Sequence, residues 1–331
     1  MAIELRFPLY RMMLLLGAGA SKSFGIPTTK NMADEFLNSI ETDSTRKNLE
    51  KSHGRDIEDI IRYLTATGRK TLERRAYSFI KDKCRKYERE KAKQTYAPIL
   101  NLSKSLSLNI FSTNYDTILE DTCNELRFSF DDGFISSRDM RKFDQNSFFR
   151  SKIQIFKMHG SISWYKDESS QTVFRFPLEL TQSKDIKEMM IYPTRDKDVF
   201  TFPFYIFQSY FWGLLNEVDE LVSIGHRFND SHILAAVKAT LAIRTNFRLV
   251  IVNPEATKIK ERCFETEDDQ RVVAVDKNFE EWVGSIQNEY SQRAREFVQR
   301  SKEYEAKKAQ AIIAEYRQTD HFQKDVADIC R

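Results

Sequence analysis

The chain predicts an α/β protein: a Rossmann-like, doubly wound parallel sheet with helical insertions and a C-terminal helical tail. Two observations carry that expectation. Six short apolar runs, Met12 to Leu16, Leu108 to Phe111, Ile153 to Phe156, Leu221 to Ile224, Leu249 to Val252 and Val272 to Val275, each stop at a glycine or a polar residue, as strands buried on both faces do. Between them the apolar spacing becomes helical, with Met32, Phe36 and Ile40 after a cap at Thr28 or Thr29, and Ile57, Ile60, Ile61 and Leu64 after Asp56, a pattern of amphipathic helices. Strands alternating with helices in this way build a parallel sheet covered on both faces.

The first strand runs into Gly17-Ala18-Gly19-Ala20-Ser21 and then Gly25-Ile26-Pro27-Thr28. Glycines at such a turn either let the backbone approach a pyrophosphate or simply permit a tight strand-to-helix turn. The dehydrogenase fingerprint fails, because its third glycine is misplaced and no acidic residue closes an obvious second strand; hydride transfer is therefore disfavoured. From about Asp56 to Ser105 the chain is helical and strongly charged around Lys81 to Lys93, the composition of a solvated helix face.

The second strand ends in Ser112-Thr113-Asn114-Tyr115-Asp116. Asn114 and Asp116 stand at the carboxyl edge of the sheet, where ligands of open α/β folds bind, although each is also a residue type that caps helices. A second expected addition runs from about Phe128 to Gly213 around the Ile153 strand, with an aromatic run from Phe200 to Trp212 that suits a core or an interface. The third strand ends in Lys157-Met158-His159-Gly160-Ser161, the fourth in Gly225-His226-Arg227-Phe228-Asn229-Asp230, and the fifth in Asn253-Pro254-Glu255. One rim thus collects glycines, an amide, acids and an imidazole. The domain expectation is a core over residues 1–277, with insertions at about 56–105 and 128–213, followed by a helical extension over 278–331. In that extension Val283, Tyr290, Phe297, Tyr304 and Ala311 recur every seven residues, while Arg293, Arg300 and Lys307 make the companion column basic. So narrow a stripe fits either packing on the domain's own flank or an intermolecular contact.

The 331 residues hold 52 basic and 49 acidic side chains, a formal net charge of +3. That balance indicates no nucleic-acid partner. The four cysteines, Cys84, Cys123, Cys263 and Cys330, form no closely spaced pair, so reduced thiols and no metal site are expected. Met12 to Leu16 before Ala18-Gly19-Ala20 imitates a signal peptide, but its apolar run is shorter than the about 7 to 15 residues such a segment needs. No stretch approaches the roughly 20 apolar residues of a membrane span. A soluble, cytoplasmic protein is expected.

Taken together and in order, GAGAS with GIPT, STNYD, KMHGS, IGHRFND and VNP resemble the sirtuin fold, and specifically the sirtuin-like NADase branch of prokaryotic defence systems, over Met12 to Val275. By position, the resemblance implies that Gly17, Ala18, Gly19 and Ser21 form a pyrophosphate loop and that Pro27 and Thr28 lie in a flexible cofactor loop. It implies that Asn114 and Asp116 hold the nicotinamide riboside and that His159 is the catalytic histidine. Gly225 and Asp230 are implied near the phosphates and adenosine ribose, and Asn253 on that ribose. Three departures stand out. The four-cysteine zinc module of sirtuin deacylases is missing, Thr28-Thr29-Lys30 replaces the usual Phe-Arg, and His226-Arg227 replaces small or hydroxyl residues, with Arg227 either reaching a phosphate or crowding the site.

The implied reaction is hydrolysis of NAD to nicotinamide and ADP-ribose or cyclic ADP-ribose, with NAD as substrate and no metal. The nicotinamide ring of NAD is a cation that leaves neutral, so no general acid is required, and His159, with an unperturbed pKa of ~6.5, is suited to accept a proton. The resemblance further implies antiviral defence by NAD depletion, a homo-oligomer, and a separate activator such as a translocating ATPase or an Argonaute-type protein. Two other readings remain: an NAD or ADP-ribose sensor without turnover, and a sirtuin-type protein deacylase or ADP-ribosyltransferase.

Overall fold

Strands that are mostly apolar bury both faces, and the six apolar runs resolve accordingly into one sheet, five of them in its interior and Val272 to Val275 at its edge. The computed structural model describes residues 11–41, 43–53, 56–137, 140–176, 186–190, 201–264 and 269–285, together with six positions between 299 and 310. In chain order the elements are β1 (Met12–Leu16), α1 (Ala18–Lys22), α2 (Thr29–Asn38), α3 (Asp43–His53), α4 (Ile57–Ala66), α5 (Lys70–Cys84), α6 (Arg89–Asn101), β2 (Leu108–Ser112), α7 (Ile118–Glu125), β3 (Phe130–Asp131), β4 (Phe134–Ser137), β5 (Met140–Phe143), β6 (Ile153–Lys157), β7 (Gly160–Asp167), β8 (Val173–Arg175), β9 (Ile186–Met190), α8 (Phe204–Leu215), β10 (Glu220–Ile224), α9 (Ser231–Ile243), β11 (Arg248–Val252), α10 (Ala256–Phe264) and β12 (Val272–Val275).

Seven strands form a parallel sheet in the order β12-β11-β10-β1-β2-β6-β3. The fold class expected from the sequence is the one observed, and each of the six apolar runs is a strand of this sheet. β3, only two residues long, is an edge strand that the pattern did not reveal. A second, antiparallel sheet follows the order β4-β5-β8-β7-β9. The region expected as one addition at about 128–213 is therefore not one piece, since β3 and β6 lie in the parallel sheet and the other strands make the second.

The aromatic run belongs largely to the core. On α8, Phe204, Phe207, Phe211 and Leu215 recur at three- and four-residue spacing and are buried, one face of an amphipathic helix. Phe111 and Phe156 stack on adjacent strands with ring centroids 4.4 Å apart, and the Phe211 ring meets Phe111 edge-on at 5.1 Å. Tyr205 and Trp212 point away from this face and remain over two-fifths exposed. Helix capping follows the sequence signals: the Thr28 hydroxyl accepts from the Asn31 amide and the Asp56 carboxylate from the Glu58 amide, each offsetting an unpaired first-turn N–H.

Two units are distinguished, Arg11–Gln287 and a second comprising Met1–Tyr10 with Asn288–Arg331. The first residues of the expected extension belong to the larger unit. Residues 279–285 are helical, opened by a reciprocal cap in which Asn278 Oδ1 accepts from the Glu281 amide and Glu281 Oε2 from the Asn278 amide. Phe279 packs there edge-on against Tyr96 and Phe24, and Val283 is buried. In the second unit Gln299, Lys302, Glu303, Ala306, Lys307 and Gln310 are helical and exposed; Tyr290, Phe297, Tyr304 and Ala311 of the seven-residue stripe lie outside the described residues. Cys84, Cys123 and Cys263 are buried free thiols, and Cys330 lies outside the described residues. Among the described residues no helix is long and apolar enough to cross a membrane.

Candidate functional site

The strands of the parallel sheet end level with one another. Lys157, Ser112, Leu16, Ile224, Val252 and Val275 form one row across β6, β2, β1, β10, β11 and β12, so the residues after them leave the sheet along one rim. The connectivity reverses beside β1, which has β2 on one side and β10 on the other. Such a reversal opens a crevice at the carboxyl ends of the strands.

Two loops meet at that crevice. Gly17 N donates to Ile224 O at 2.9 Å and Gly19 N to Gly225 O at 3.0 Å. A Cβ on Gly19 would stand 2.7 Å from Gly225 Cα, and one on Gly225, whose φ is +65°, would stand 2.2 Å from Ala20 N. Side chains have no room there, so these glycines serve the contact between two loops as well as any ligand. The N–H groups of Gly17, Gly19 and Ala20 donate to the carbonyls of Ile224, Gly225 and Gly17. Three amides of the expected pyrophosphate loop are thereby committed within the protein.

Asn114 and Asp116 tie that loop to the end of β2. The Asn114 amide nitrogen donates to Gly17 O and to Ser21 Oγ, both at 2.9 Å, and Ser21 Oγ donates to Asp116 Oδ2 at 2.6 Å. Asp116 Oδ1 accepts from the Ile118 amide at 3.1 Å, so this carboxylate helps begin α7 as a capping residue would. Both Asp116 oxygens therefore take protein hydrogens, and both hydrogens of the Asn114 amide are used, leaving Asn114 Oδ1. Beneath them the buried Lys157 donates to Asp116 O and stands 4.0 Å from the buried Glu120; burial pushes the Glu120 pKa up, against the opposing charges of Lys157 and Arg175.

His159 occupies the turn where β6 passes from the parallel sheet into β7 of the antiparallel one. The turn needs Gly160, whose φ is +81° and whose Cβ would lie 2.1 Å from Met189 O. The imidazole is 2% exposed. Its bond to the Thr113 backbone and its Nε2, which is buried without a hydrogen-bond partner, assign the neutral ring as Nδ1–H donating to that carbonyl with a free lone pair on Nε2. Burial pushes the His159 pKa below its ordinary value, with Asp230 pulling partly back. Asp230 Oδ1 lies 3.5 Å from Nε2.

Asp230 stands at the N-cap of α9 yet makes no capping bond. Its carboxylate turns to His226 Nε2 at 2.9 Å instead, while His226 Nδ1 accepts from the Phe228 amide at 3.0 Å. Burial works to raise the Asp230 pKa, but the charge of His159, the hydrogen bond and charge of His226 and the charge of His232 outweigh it and hold the carboxyl below the usual range. His232, its Nε2 also unpartnered, is pushed down to about 4, chiefly by burial. From α4, Glu58 accepts from the Tyr115 hydroxyl at 2.9 Å. Burial, then the charges of Asp56 and Asp230, push its pKa well up.

The predicted residues thus form two clusters along the rim. Asn114, Asp116 and Ser21 make one with Gly17 and Gly19; His159 and Asp230 make the other, joined by His226, His232 and Glu58, which sequence reasoning did not assign. Pro27 lies in the loop before α2 and Thr28 is its cap. Asn253 Oδ1 accepts from the Glu255 amide at 3.0 Å, shaping the turn into α10. Exposed Arg227 pairs with Glu255 at 2.8 Å. A cleft of about 370 Å³ lined by Asn124, Arg127, Phe128 and Arg141 involves none of the predicted site residues. Among the described residues no group of His, Cys, Asp and Glu side chains is arranged to hold a metal ion.

Residues 108–273 match the family model described as a SIR2-like domain. Among solved structures, a Sir2 homolog in complex with NAD is 14% identical, with 86% of this chain and 90% of that chain covered and a TM-score of 0.48. A triple mutant of a Sir2 homologue in complex with 2'-O-acetyl ADP ribose is 15% identical, with 87% and 92% covered and a TM-score of 0.47. No curated protein matches the chain in sequence.

Proposed function

Because the chain belongs to the SIR2-like family, we propose that it binds NAD at the crevice beside β1 and hydrolyses the bond between nicotinamide and ribose. The observation that carries this reading is His159: a buried imidazole with a free Nε2 lone pair, oriented by a backbone carbonyl and faced by a carboxylate at 3.5 Å. Nε2 and Asp230 Oδ1 are both acceptors, so a hydroxyl or a water suits the position they share.

In the reaction, the C1′–N bond breaks with its electron pair passing to the ring nitrogen, which neutralises the pyridinium. A water oxygen bonds to C1′ and its proton passes to His159 Nε2 and then to solvent. The products are nicotinamide, ADP-ribose and a proton; attack by a group of the adenine in place of water gives the cyclic form. A base so placed contributes roughly 10²–10⁴-fold. Asn114 Oδ1 is available to accept from that water or from a ribose hydroxyl. Asp116 holds Ser21 and the start of α7 and keeps lone pairs for the ribose or carboxamide contact implied by the resemblance. In the Gly17 to Ser21 turn, Ala18 N–H is the amide left to meet the pyrophosphate, with Gly225 beside it, while Pro27 and Thr28 flank the cofactor and Asn253 meets the adenosine ribose. We also propose that the reaction serves antiviral defence by depleting NAD, in a homo-oligomer switched on by a separate activator such as a translocating ATPase or an Argonaute-type protein.

Nicotinamide release from NAD, measured on the purified protein with and without the product of the neighbouring gene, tests the reading. His159→Ala should abolish turnover while the fold survives the loss of one buried imidazole and its hydrogen bond to Thr113, a cost of about 1–3 kcal/mol. Asn114→Ala should also abolish it, but at a cost of about 1–3 kcal/mol for each buried group left unpaired at Gly17 O and Ser21 Oγ. Full turnover by His159→Ala would remove the mechanism.

A further inference from the structure

The acidic side chains around Glu58 have no task in that hydrolysis. Glu58 and Asp56 come from the start of α4, within the helical insertion, and reach the rim from outside the strand ends. Tyr115, between Asn114 and Asp116, fixes Glu58 by its hydroxyl, and Thr29 at the start of α2 fixes Asp56 at 2.6 Å. Among the described residues, the charges that act most strongly on Glu58 are negative: Asp56 and Asp59 at the start of α4 and Asp230 on the loop after β10. Behind Asp230 stand His159, His226 and His232. Part of Glu58 remains open to solvent although its carboxyl is crowded enough for burial to dominate its titration, which suits the wall of a cleft. The buried His159 Nε2, with no hydrogen-bond partner, lies beside Asp230 in the same cluster.

Like charges gathered in a poorly solvated place are unfavourable until a cation joins them. We propose that Glu58, with Asp56 and Asp230, forms a selectivity wall that receives the positively charged nicotinamide ring of oxidised NAD and disfavours the neutral ring of NADH. The inference rests on the reading of this site as an NAD site. It adds a reason for the acids: the cationic ring alone can leave as a neutral molecule, so the charge that selects the ring also selects the form able to react. Because the empty wall holds a proton on Glu58 more readily than an ordinary carboxylate does, arrival of the cation should release that proton.

The test is calorimetric binding of two stable probes to the full-length protein: carbocyclic NAD, whose ring is cationic and whose bond to the sugar analogue does not hydrolyse, and NADH. The native protein should bind the carbocyclic probe at least about tenfold more tightly, and titrations in buffers of different ionisation enthalpy should show proton release with that probe only. Glu58→Gln keeps an acceptor for Tyr115 and should bring the two affinities to within about threefold. If that variant does not fold, proton release by the native protein decides. Equal affinities in the native protein, an unchanged ratio in Glu58→Gln, equal proton release with both probes, or no binding of either probe at millimolar concentration would each overturn the proposal. Hydrolysis of NAD by a protein that binds both probes alike leaves the proposed function standing and removes the wall alone; selective binding without hydrolysis does the reverse.

Discussion

His159 and His232 both feel the Asp230 carboxylate, and their titration should be visible in stability. His232 is neutral in the folded chain down to about pH 4, whereas an unfolded histidine takes its proton near ~6.5. Between those values the unfolded chain binds more protons, so the stability His232 contributes is complete above pH 6.5 and is lost as pH falls toward 4, by an amount on the order of 3 kcal/mol. His159 acts in the same direction, and Asp230, whose pKa is lowered, adds a further loss below ~3.8. Urea midpoints at pH 7 and pH 4.5 should therefore differ less in His232→Gln than in the native protein. Glu58 has the opposite sign. Its raised pKa means that stability is lost as pH rises above its unfolded value of ~4.5, so Glu58→Gln should melt higher than the native protein at pH 7.5, and a lower melting temperature would contradict its assignment as a strained acid. At this scale Asn114 and His159 were legible because each stands two residues past a strand end, and Asp230 because it sits at the start of the helix that follows β10. Glu58 was hidden, because its residue type and position match an ordinary first-turn helix acid and only the folding of α4 onto the rim gives it a site.

At the scale of elements, the turn at Gly160 and the contact between the Gly17–Gly19 and Gly225 loops are the places where geometry leaves least choice. Gly160→Ala must either abandon a positive φ or push Met189 away. Backbone strain of about 1–3 kcal/mol at that turn should lower the melting temperature and reduce turnover more than the stability loss explains, because His159 is its neighbour. Gly225→Ala meets backbone on the opposite side and should be the more damaging of the two, with soluble yield and melting temperature as the readouts. Six of the seven parallel strands were legible because burial on both faces favours a mostly apolar run, and each run stops at a glycine or a polar residue where the strand leaves the sheet. The antiparallel sheet was not. β8 is three residues long and β7 carries Ser161, Ser163 and Lys166 among its apolar positions, so neither a run nor a clean alternation marks them. The aromatic segment suited a core, and its density reflects packing of α8 on Phe111 and Phe156, with Phe202, Tyr205 and Trp212 among its outward residues.

For the whole molecule, the boundary lies later than composition suggested. Phe279, Trp282 and Val283 are buried in the larger unit, and that unit extends to Gln287. A chain ending at Gln287 should keep a cooperative unfolding transition and near-ultraviolet circular dichroism, whereas one ending at Asn278 should lose stability through removal of the Phe279 contacts with Phe24 and Tyr96. Loss of cooperativity in the longer of the two would mean that residues 288–331 belong to the same folding unit. If the homo-oligomer forms through those residues, light scattering should report a smaller mass for the chain ending at Gln287 than for the full chain.

The contact between the Gly17–Gly19 turn and the Gly225 loop has one more consequence. Where the two loops touch, the base of the crevice is made of peptide groups, so it has no side-chain rotamers to freeze. A molecule lying on it would order nothing there, and the entropic cost of association that mobile side chains normally impose, about 0.5–1.5 kcal/mol for each one immobilised, does not arise. Affinity at that base is then a matter of backbone dipoles already fixed by folding, while discrimination between different molecules falls to the walls, where Glu58, Asp230 and the histidines stand.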